Sequence, residues 1–147
     1  MKILIVYETL TGTTQYVTEV MQAKLTEFGH QVDLHSVRYQ GQQPELSNYQ
    51  VLLFGAPTYE DGKLEQGMRV FIAKCKENLS GYKVAVFGLG NSTYPLFCKS
   101  ADILEEWVTQ QQGRVAIPTL RIDGFPDDIS PIENWIVQLD QALKSGS

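Results

Sequence analysis

The sequence has few of the residues that bind metals or form disulfides. Among its 147 residues are two cysteines, Cys75 and Cys98, and two histidines, His30 and His35, which form no metal-ligand cluster and no CxxC pair. These absences argue against a zinc module and a small disulfide-bonded secreted domain, so we expect a protein of the reducing cytoplasm. Each histidine stands alone in or beside a predicted strand, and we expect both to be solvated rather than to act as ligands or bases.

Long apolar runs and an excess of positive charge are also missing. No apolar run approaches the length of a membrane span, and a signal peptide does not fit because Glu8 ends the first short apolar stretch. The formal net charge of −5 argues against nucleic acid or an anionic membrane as a partner and favours the basic face of another protein. We therefore expect a soluble cytoplasmic protein, and we expect it to be a monomer.

Five segments with strand character alternate along the chain with segments of helical periodicity. The chain is 43% hydrophobic and long enough for one core, so we expect a single domain over residues 1–147, with residues 145–147 outside the fold. Strands are predicted at residues 3–7, 31–37, 51–55, 83–88 and 114–122. Helices are predicted at residues 13–28, from about 68 to a break at Ser80, at 98–112 and from 131 onwards. This alternation predicts an α/β protein with a doubly wound parallel sheet and helices on both faces.

A short polar loop joins the first predicted strand to the first helix. Residues 9–14 read Thr-Leu-Thr-Gly-Thr-Thr, so four hydroxyls and a glycine stand where a helix presents unpaired N–H groups and the positive end of its dipole. One threonine suffices to cap a helix, and the excess of donors indicates a phosphate site. The loop lacks the three spaced glycines of a dinucleotide fingerprint and the Gly-Lys-Ser/Thr end of a triphosphate loop. We therefore expect it to bind one terminal monophosphate.

Two other loops carry a tyrosine at the edge of the sheet where ligands bind, beyond the carboxyl ends of the strands. Tyr59 follows the third predicted strand and Tyr94 follows the fourth. Rings on facing loops can hold a flat conjugated ligand between them, and each stacking contact contributes roughly 0.5–1.5 kcal/mol beyond the buried area. Either tyrosine alone is better explained as a cover for the core. Together with the phosphate loop, the pair predicts a mononucleotide with a planar head group.

Two motifs connect the chain to a known family. Residues 9–14 are similar to the T/S-x-T-G-x-T phosphate loop of short-chain flavodoxins, and residues 88–98, Gly-Leu-Gly-Asn-Ser-Thr-Tyr-Pro-Leu-Phe-Cys, resemble the second flavin loop of that family. The resemblance extends from the first strand to the last helix. It implies a five-stranded flavodoxin-like sheet in the family's own order, 2-1-3-4-5, and FMN as the cofactor. It also implies one-electron transfer by a protein that is not an enzyme with its own substrate. Its partners are then a flavin reductase-type donor and an electron-accepting enzyme.

The resemblance also implies roles for individual residues at the FMN site. The residues implied for the phosphate are Thr9, Leu10, Thr11, Gly12, Thr13 and Thr14. For the ring system, Tyr94 stacks on the outer face and Tyr59 on the inner face. The pyrimidine edge meets the backbone of Asn91, Leu96 and Cys98. Further predicted contacts are Pro57, Thr58, Glu60, Asp61, Gly62, Gly90 and Phe97.

The charges near this site bear on its reduction potential. Glu60, Asp61 and Glu65 lie close in sequence to the inner ring position and carry negative charge beside an unneutralised phosphate. An added electron is therefore electrostatically disfavoured, and the resemblance to flavodoxins implies a carrier of low potential.

Several other protein classes have a similar sheet, and the sequence disfavours most of them. A response-regulator receiver needs paired carboxylates after the first strand, and a low-molecular-weight phosphatase needs a Cys-x5-Arg loop there; neither is present. A quinone reductase is disfavoured because no insertion is present to complete a quinone site. Two alternatives stay open, a free-standing module resembling the FMN domain of diflavin reductases and a flavin-binding interaction or assembly protein.

Overall fold

A computed structural model of the chain describes residues 1–9, 11–38, 43–58, 64–93 and 96–145. Strands and helices alternate through these ranges. The strands are β1 (Lys2–Tyr7), β2 (Gln31–Ser36), β3 (Val51–Pro57), β4 (Lys83–Gly90) and β5 (Leu120–Asp123). The helices are α1 (Thr13–Glu27), α2 (Gln66–Lys74), α3 (Lys99–Gln110) and α4 (Ser130–Lys144), with a short 3-10 turn at Leu46–Asn48. No helix in these ranges has the length and apolar content that a bilayer span requires.

The strands form one parallel sheet in the order β2-β1-β3-β4-β5. This order and the α/β architecture confirm the fold class expected from the sequence. Parallel neighbours need a crossover between them, and the helices supply it while covering the sheet. β2 is an edge strand and accordingly shows exposed or partly exposed residues at its first four positions.

Alternating side chains divide the core into two layers. On one face of the sheet, Ile3, Ile5 and Phe87 pack with α1 and α4, where Trp135 is 5% exposed. On the other face, Leu4 and Phe54 belong to the layer that packs with α2 and α3. Because the central strands are covered on both sides, they read in the sequence as unbroken apolar runs rather than as alternating ones.

The fifth strand is shorter than predicted and begins later. The sequence predicted residues 114–122, whereas β5 spans Leu120–Asp123 and only an isolated bridge joins Val115 to Val84. Pro118 has no N–H to donate to a ladder, and its carbonyl oxygen accepts a hydrogen bond from Trp135 Nε1 at 2.8 Å. The segment before β5 therefore contacts α4 instead of pairing with β4 along its length.

The second helix also ends earlier than predicted. It stops at Lys74, and Cys75 already has extended backbone angles, although its side chain is buried as expected. The chain then runs without helix to Leu79, which is fully buried and donates its N–H to Gln111 O at 2.7 Å. Tertiary packing of Leu79 beside the end of α3 therefore replaces the last predicted turns of α2.

The prediction that both histidines are solvated is wrong. His30 Nε2 lies 2.7 Å from Asp140 Oδ1, and the two side chains are 8% and 6% exposed. His35 is buried beside Phe71, and burial lowers the pKa of its imidazole. Helices α2 and α4 cover positions that look solvent-facing in the sequence.

Gly55 allows close packing in the centre of the sheet. It pairs with Phe87 across β3 and β4, and a Cβ at this glycine would lie 2.0 Å from Phe87 Cζ.

We expect Gly55→Ala to lower the free energy of unfolding by about 1–3 kcal/mol, because the buried Phe87 ring must move. Urea unfolding of the apoprotein measures the change. Gly81→Ala is the matched control, since nothing lies within 4 Å of a Cβ there, and equal losses in the two variants would contradict the expectation.

Candidate functional site

A cleft of about 290 Å³ opens at the carboxyl edge of the sheet. It brings together residues from the ends of β1, β3, β4 and β5, in agreement with the rule that ligands bind beyond the carboxyl ends of parallel strands. Predicted site residues in its lining are Thr11, Thr13, Thr14, Pro57, Thr58, Gly90 and Asn91. Leu89, Gly124 and Phe125 complete the described lining.

The phosphate loop turns into α1 through a left-handed glycine. Gly12 has φ 94° and ψ −8°, a conformation that costs a residue with a side chain roughly 1 kcal/mol or more. Its N–H donates to Thr9 Oγ1 at 3.0 Å, and Thr9 is only 2% exposed. The buried side chain of Thr9 thus fixes the backbone at Gly12. Thr11 Oγ1 and Thr13 Oγ1 lie 3.5 Å apart, and both threonines line the cleft.

The N-terminus of α1 presents hydrogen-bond donors that no side chain in the described ranges caps. Gly12 occupies the N-cap position. The first N–H groups of a helix have no acceptor within it, so those at the start of α1 are available to a ligand. The simpler explanation of the threonines, that one of them caps the helix, therefore does not fit this geometry. An anion fits because the dipole, N–H groups and hydroxyls all favour negative charge.

The third strand continues into the cleft through Pro57 and Thr58. Thr58 N–H donates to Leu89 O at 2.8 Å, and its hydroxyl donates to Ser100 Oγ at 2.7 Å. Ser100 in turn donates from Oγ to Ala56 O at 2.9 Å. The Thr58 hydroxyl is thus used to join β3 to α3.

The loop after the fourth strand is closely packed against its own strand. A Cβ on Gly90 would lie 2.8 Å from the backbone nitrogen of Cys98. Cys98 is fully buried, has a left-handed backbone with φ 52°, and directs Sγ toward Gly88 O at 3.5 Å. Burial raises the pKa of its thiol to about 11, so the group stays protonated and is a poor nucleophile. Asn91 Oδ1 accepts hydrogen bonds from the N–H and hydroxyl of Thr93 at 2.9 and 2.7 Å, which shapes the turn.

The remaining predicted site residues divide into two groups. Five lie in the described ranges without lining the cleft: Thr9, Gly12, Leu96, Phe97 and Cys98. Six lie outside the described residues, and their roles stay predictions: Leu10, Tyr59, Glu60, Asp61, Gly62 and Tyr94.

Sequence reasoning missed the contribution of the fifth strand. It placed ligand contacts on the loops after the first, third and fourth strands only, whereas Gly124 and Phe125 follow β5 and line the cleft. Two signals were available. β5 ends at the same edge of a parallel sheet as the other strands. Phe125 is a large apolar residue in a predicted loop, outside the apolar faces of the predicted helices.

Glu8 places a buried carboxylate directly before the phosphate loop. The residue is 1% exposed, and neither carboxylate oxygen makes a hydrogen bond of ordinary geometry within the described ranges. Burial raises the pKa of Glu8, and the nearby Glu65 raises it further. Arg38 and the backbone N–H groups of Gly67 and Thr9 oppose the shift. The ionised form is therefore disfavoured in the folded protein.

The described part of the chain holds no group of three histidine, cysteine or acidic side chains arranged for a metal ion.

We expect Glu8→Gln to stabilise the apoprotein at neutral pH by about 1 kcal/mol, because the amide avoids the free-energy cost of burying the carboxylate or of protonating it on folding. The pKa of Glu8 is raised above its ordinary value of 4.5, so the folded chain holds this proton more tightly than the unfolded chain. The stabilising contribution of the protonated form is complete below that value and is lost as pH rises through the folded-state pKa. Urea unfolding from pH 4 to pH 8 should show the advantage of Glu8→Gln growing with pH. The exposed Glu106→Gln is the control, and a pH-independent difference at Glu8 would contradict the expectation.

Comparisons with known proteins agree with this fold. The family model for flavodoxins matches residues 5–135. The flavodoxin of Maridesulfovibrio salexigens is 33% identical over 129 residues, which cover 86% of this chain and 88% of that protein. The crystal structure of oxidised Flavodoxin 2 from Bacillus cereus superposes with a TM-score of 0.88 at 28% identity, covering 96% of this chain and 99% of that one. The Fusobacterium nucleatum flavodoxin bound to flavin mononucleotide shares the fold with a TM-score of 0.81 at 23% identity, covering 95% of this chain and 97% of that one.

The length of the family match settles the membership. It includes most of the chain, from β1 into α4, and so spans all five strands of the sheet. The chain therefore belongs to the flavodoxin family, whose members are FMN-binding electron-transfer proteins and not enzymes with substrates.

Proposed function

We propose that this flavodoxin binds FMN in the cleft at the carboxyl edge of the sheet. In this proposal it passes single electrons at low potential from a flavin reductase-type donor to an electron-accepting enzyme. One observation carries the proposal: the uncapped N-terminus of α1 and the hydroxyls of Thr11, Thr13 and Thr14 open into the same cleft as the ends of β3 and β4. The cofactor supplies the reversible one-electron chemistry. The protein has to bind it, orient it and limit its contact with water.

The donor set suits a phosphate monoester. Hydroxyls and backbone N–H groups are neutral donors, and no lysine or arginine is among the described residues that line the cleft. Such a site leaves the charge of the phosphate unneutralised while bonding its oxygens. Gly12 supplies the left-handed backbone, φ 94°, that turns the loop into α1 and that a residue with a side chain adopts only at a cost.

The ends of β3 and β4 would hold the rest of the cofactor. Pro57, Leu89 and Gly90 line the cleft with largely apolar or backbone surface, and Asn91 stands at its rim. Backbone groups fixed by neighbouring strands can bond the edge of a planar ring without the entropy cost of ordering side chains. The stacking of Tyr59 and Tyr94 on the ring is part of the proposal and rests on the family resemblance.

Carboxylates near the cleft support a low reduction potential. Glu65 caps α2, with its carboxylate accepting Gln66 N–H at 2.9 Å, and Glu8, buried immediately before the phosphate loop, adds negative charge when it is ionised. Negative charge in a partly buried setting opposes the arrival of an electron more strongly than the same charge in water. The net charge of −5 also favours partners with a basic docking face.

Titration with two ligands tests the proposed phosphate site. The apoprotein should bind FMN more tightly than riboflavin, which has the same ring and ribityl chain but no phosphate. Thr13→Val should raise the Kd for FMN about tenfold or more by removing one hydrogen bond to a charged group, and should leave the Kd for riboflavin unchanged. Thr109→Val is the control, because its hydroxyl bonds Glu105 O on the surface of α3. Equal losses for both ligands would show that Thr13 does not act through the phosphate.

A second experiment tests the carrier function. The FMN-loaded protein should be reduced by a flavin reductase and should reduce cytochrome c, used here as a probe acceptor, with loss of the flavin absorbance and its return. Bound FMN without electron exchange would instead support the interaction or assembly protein left open by the sequence. Failure to bind FMN at all would refute the proposal.

A further inference from the structure

Phe125 is an exposed aromatic residue at the wall of the cleft. It lies in the loop between β5 and α4, is 58% exposed, and lines the cleft together with Gly124. Phe125 belongs to neither core layer. A phenylalanine ring left mostly in water forgoes the stabilisation that its burial would provide, so its place beside a ligand cleft calls for an explanation.

The ring of Phe125 is held in position by Tyr16. The two rings are stacked, with centroids 5.3 Å apart and planes inclined by 20°. Tyr16 lies in the first turn of α1, and its N–H donates to Gly12 O at 3.0 Å. The stacked pair therefore connects the phosphate loop and the start of α1 to the loop after β5.

The other side of the same loop is fixed to the end of β4. Gly124 N–H donates to Gly90 O at 2.8 Å, with Gly124 in a left-handed conformation of φ 66°. The carboxylate of Asp123 accepts the N–H of Ser92 at 2.9 Å and its hydroxyl at 2.5 Å. With both sides anchored, residues 123–125 form a wall of the cleft that connects the start of α1 to the end of β4.

We propose that Phe125 is a contact residue for the ribityl chain of FMN, and that Tyr16 is the positioning residue that holds its ring against the cleft. The inference rests on the proposed FMN site. The ribityl chain is the part of FMN between the phosphate and the ring. Phe125 lies between the threonine side chains proposed to bind the phosphate, at the start of α1, and the end of β4. The ring covers this part of the ligand and slows release of the cofactor.

Phe125→Ala tests the contact with the ribityl chain. We expect the Kd values for FMN and riboflavin to rise by the same factor, about tenfold, since both ligands carry this chain. The rate of FMN release, followed by the recovery of flavin fluorescence on dilution, should rise in proportion. The inhibition constant of inorganic phosphate in competition with FMN should be unchanged, because phosphate alone does not reach Phe125.

Two further variants separate contact from positioning. Tyr16→Ala should weaken both ligands about threefold, Tyr16→Phe should retain wild-type affinity, and Tyr16→Ala should have no added effect when Phe125 is already alanine. Phe125→Tyr keeps the ring and should retain affinity. Val115→Ala serves as the control. Val115 is 37% exposed, close to the 36% of Tyr16, and lies at the opposite end of the sheet from the cleft.

The outcomes are distinguishable from one another. Unchanged binding by Phe125→Ala, a loss confined to FMN, or a raised inhibition constant for phosphate would each overturn the assignment to the ribityl chain. A Tyr16→Ala loss that persists in the Phe125→Ala background would overturn the positioning role. Urea unfolding of the apoproteins shows whether a loss of binding is merely a loss of fold, in which case affinity in Phe125→Tyr decides. If the wild-type chain itself binds neither ligand, the proposed function fails first.

Discussion

Parallel pairing of β1, β3 and β4 is the constraint on which the rest of this protein depends. Each of these strands has buried side chains on both faces of the sheet, so helices are required on both sides and the core has two layers. The parallel direction also brings all the carboxyl ends to one edge. Backbone groups there have no further ladder partners, and the loops that leave this edge form the cleft.

These loops take their positions from neighbouring strands more than from their own turns. Thr58 N–H bonds Leu89 O, and Gly124 N–H bonds Gly90 O, each at 2.8 Å. Ser100 in α3 is fully buried and bonds Ala56 O. Such cross-links fix the shape of the cleft before a ligand arrives, and a preformed site loses less conformational entropy on binding. The threonine hydroxyls of α1 then remain as donors on a rigid support.

Charge near the cleft reflects a conflict between stability and electron transfer. Glu8 is buried where its ionised form is disfavoured, and it would lower the potential of the proposed flavin only in that ionised form. In the proposed site, neutral hydroxyls and backbone N–H groups would bind the phosphate without cancelling its negative charge. The lining of the cleft, as far as the structure describes it, holds no basic side chain, which is consistent with such a site.

The sequence by itself determined the α/β class, the two unbroken central strands, the polar loop before α1 and most of the lining of the cleft. These features depend on local periodicity and on residue types that are close together in the chain. Only the tertiary structure decided the features that depend on distant partners. The side chain of His30 is buried against Asp140, 110 residues away, and the segment before β5 bonds Trp135 of α4 through the carbonyl of Pro118. Phe125 reaches the cleft on a loop fixed to Gly90, and its ring stacks on Tyr16 in another element. A local sequence pattern does not predict such contacts, since they form only when the helices and strands have packed together.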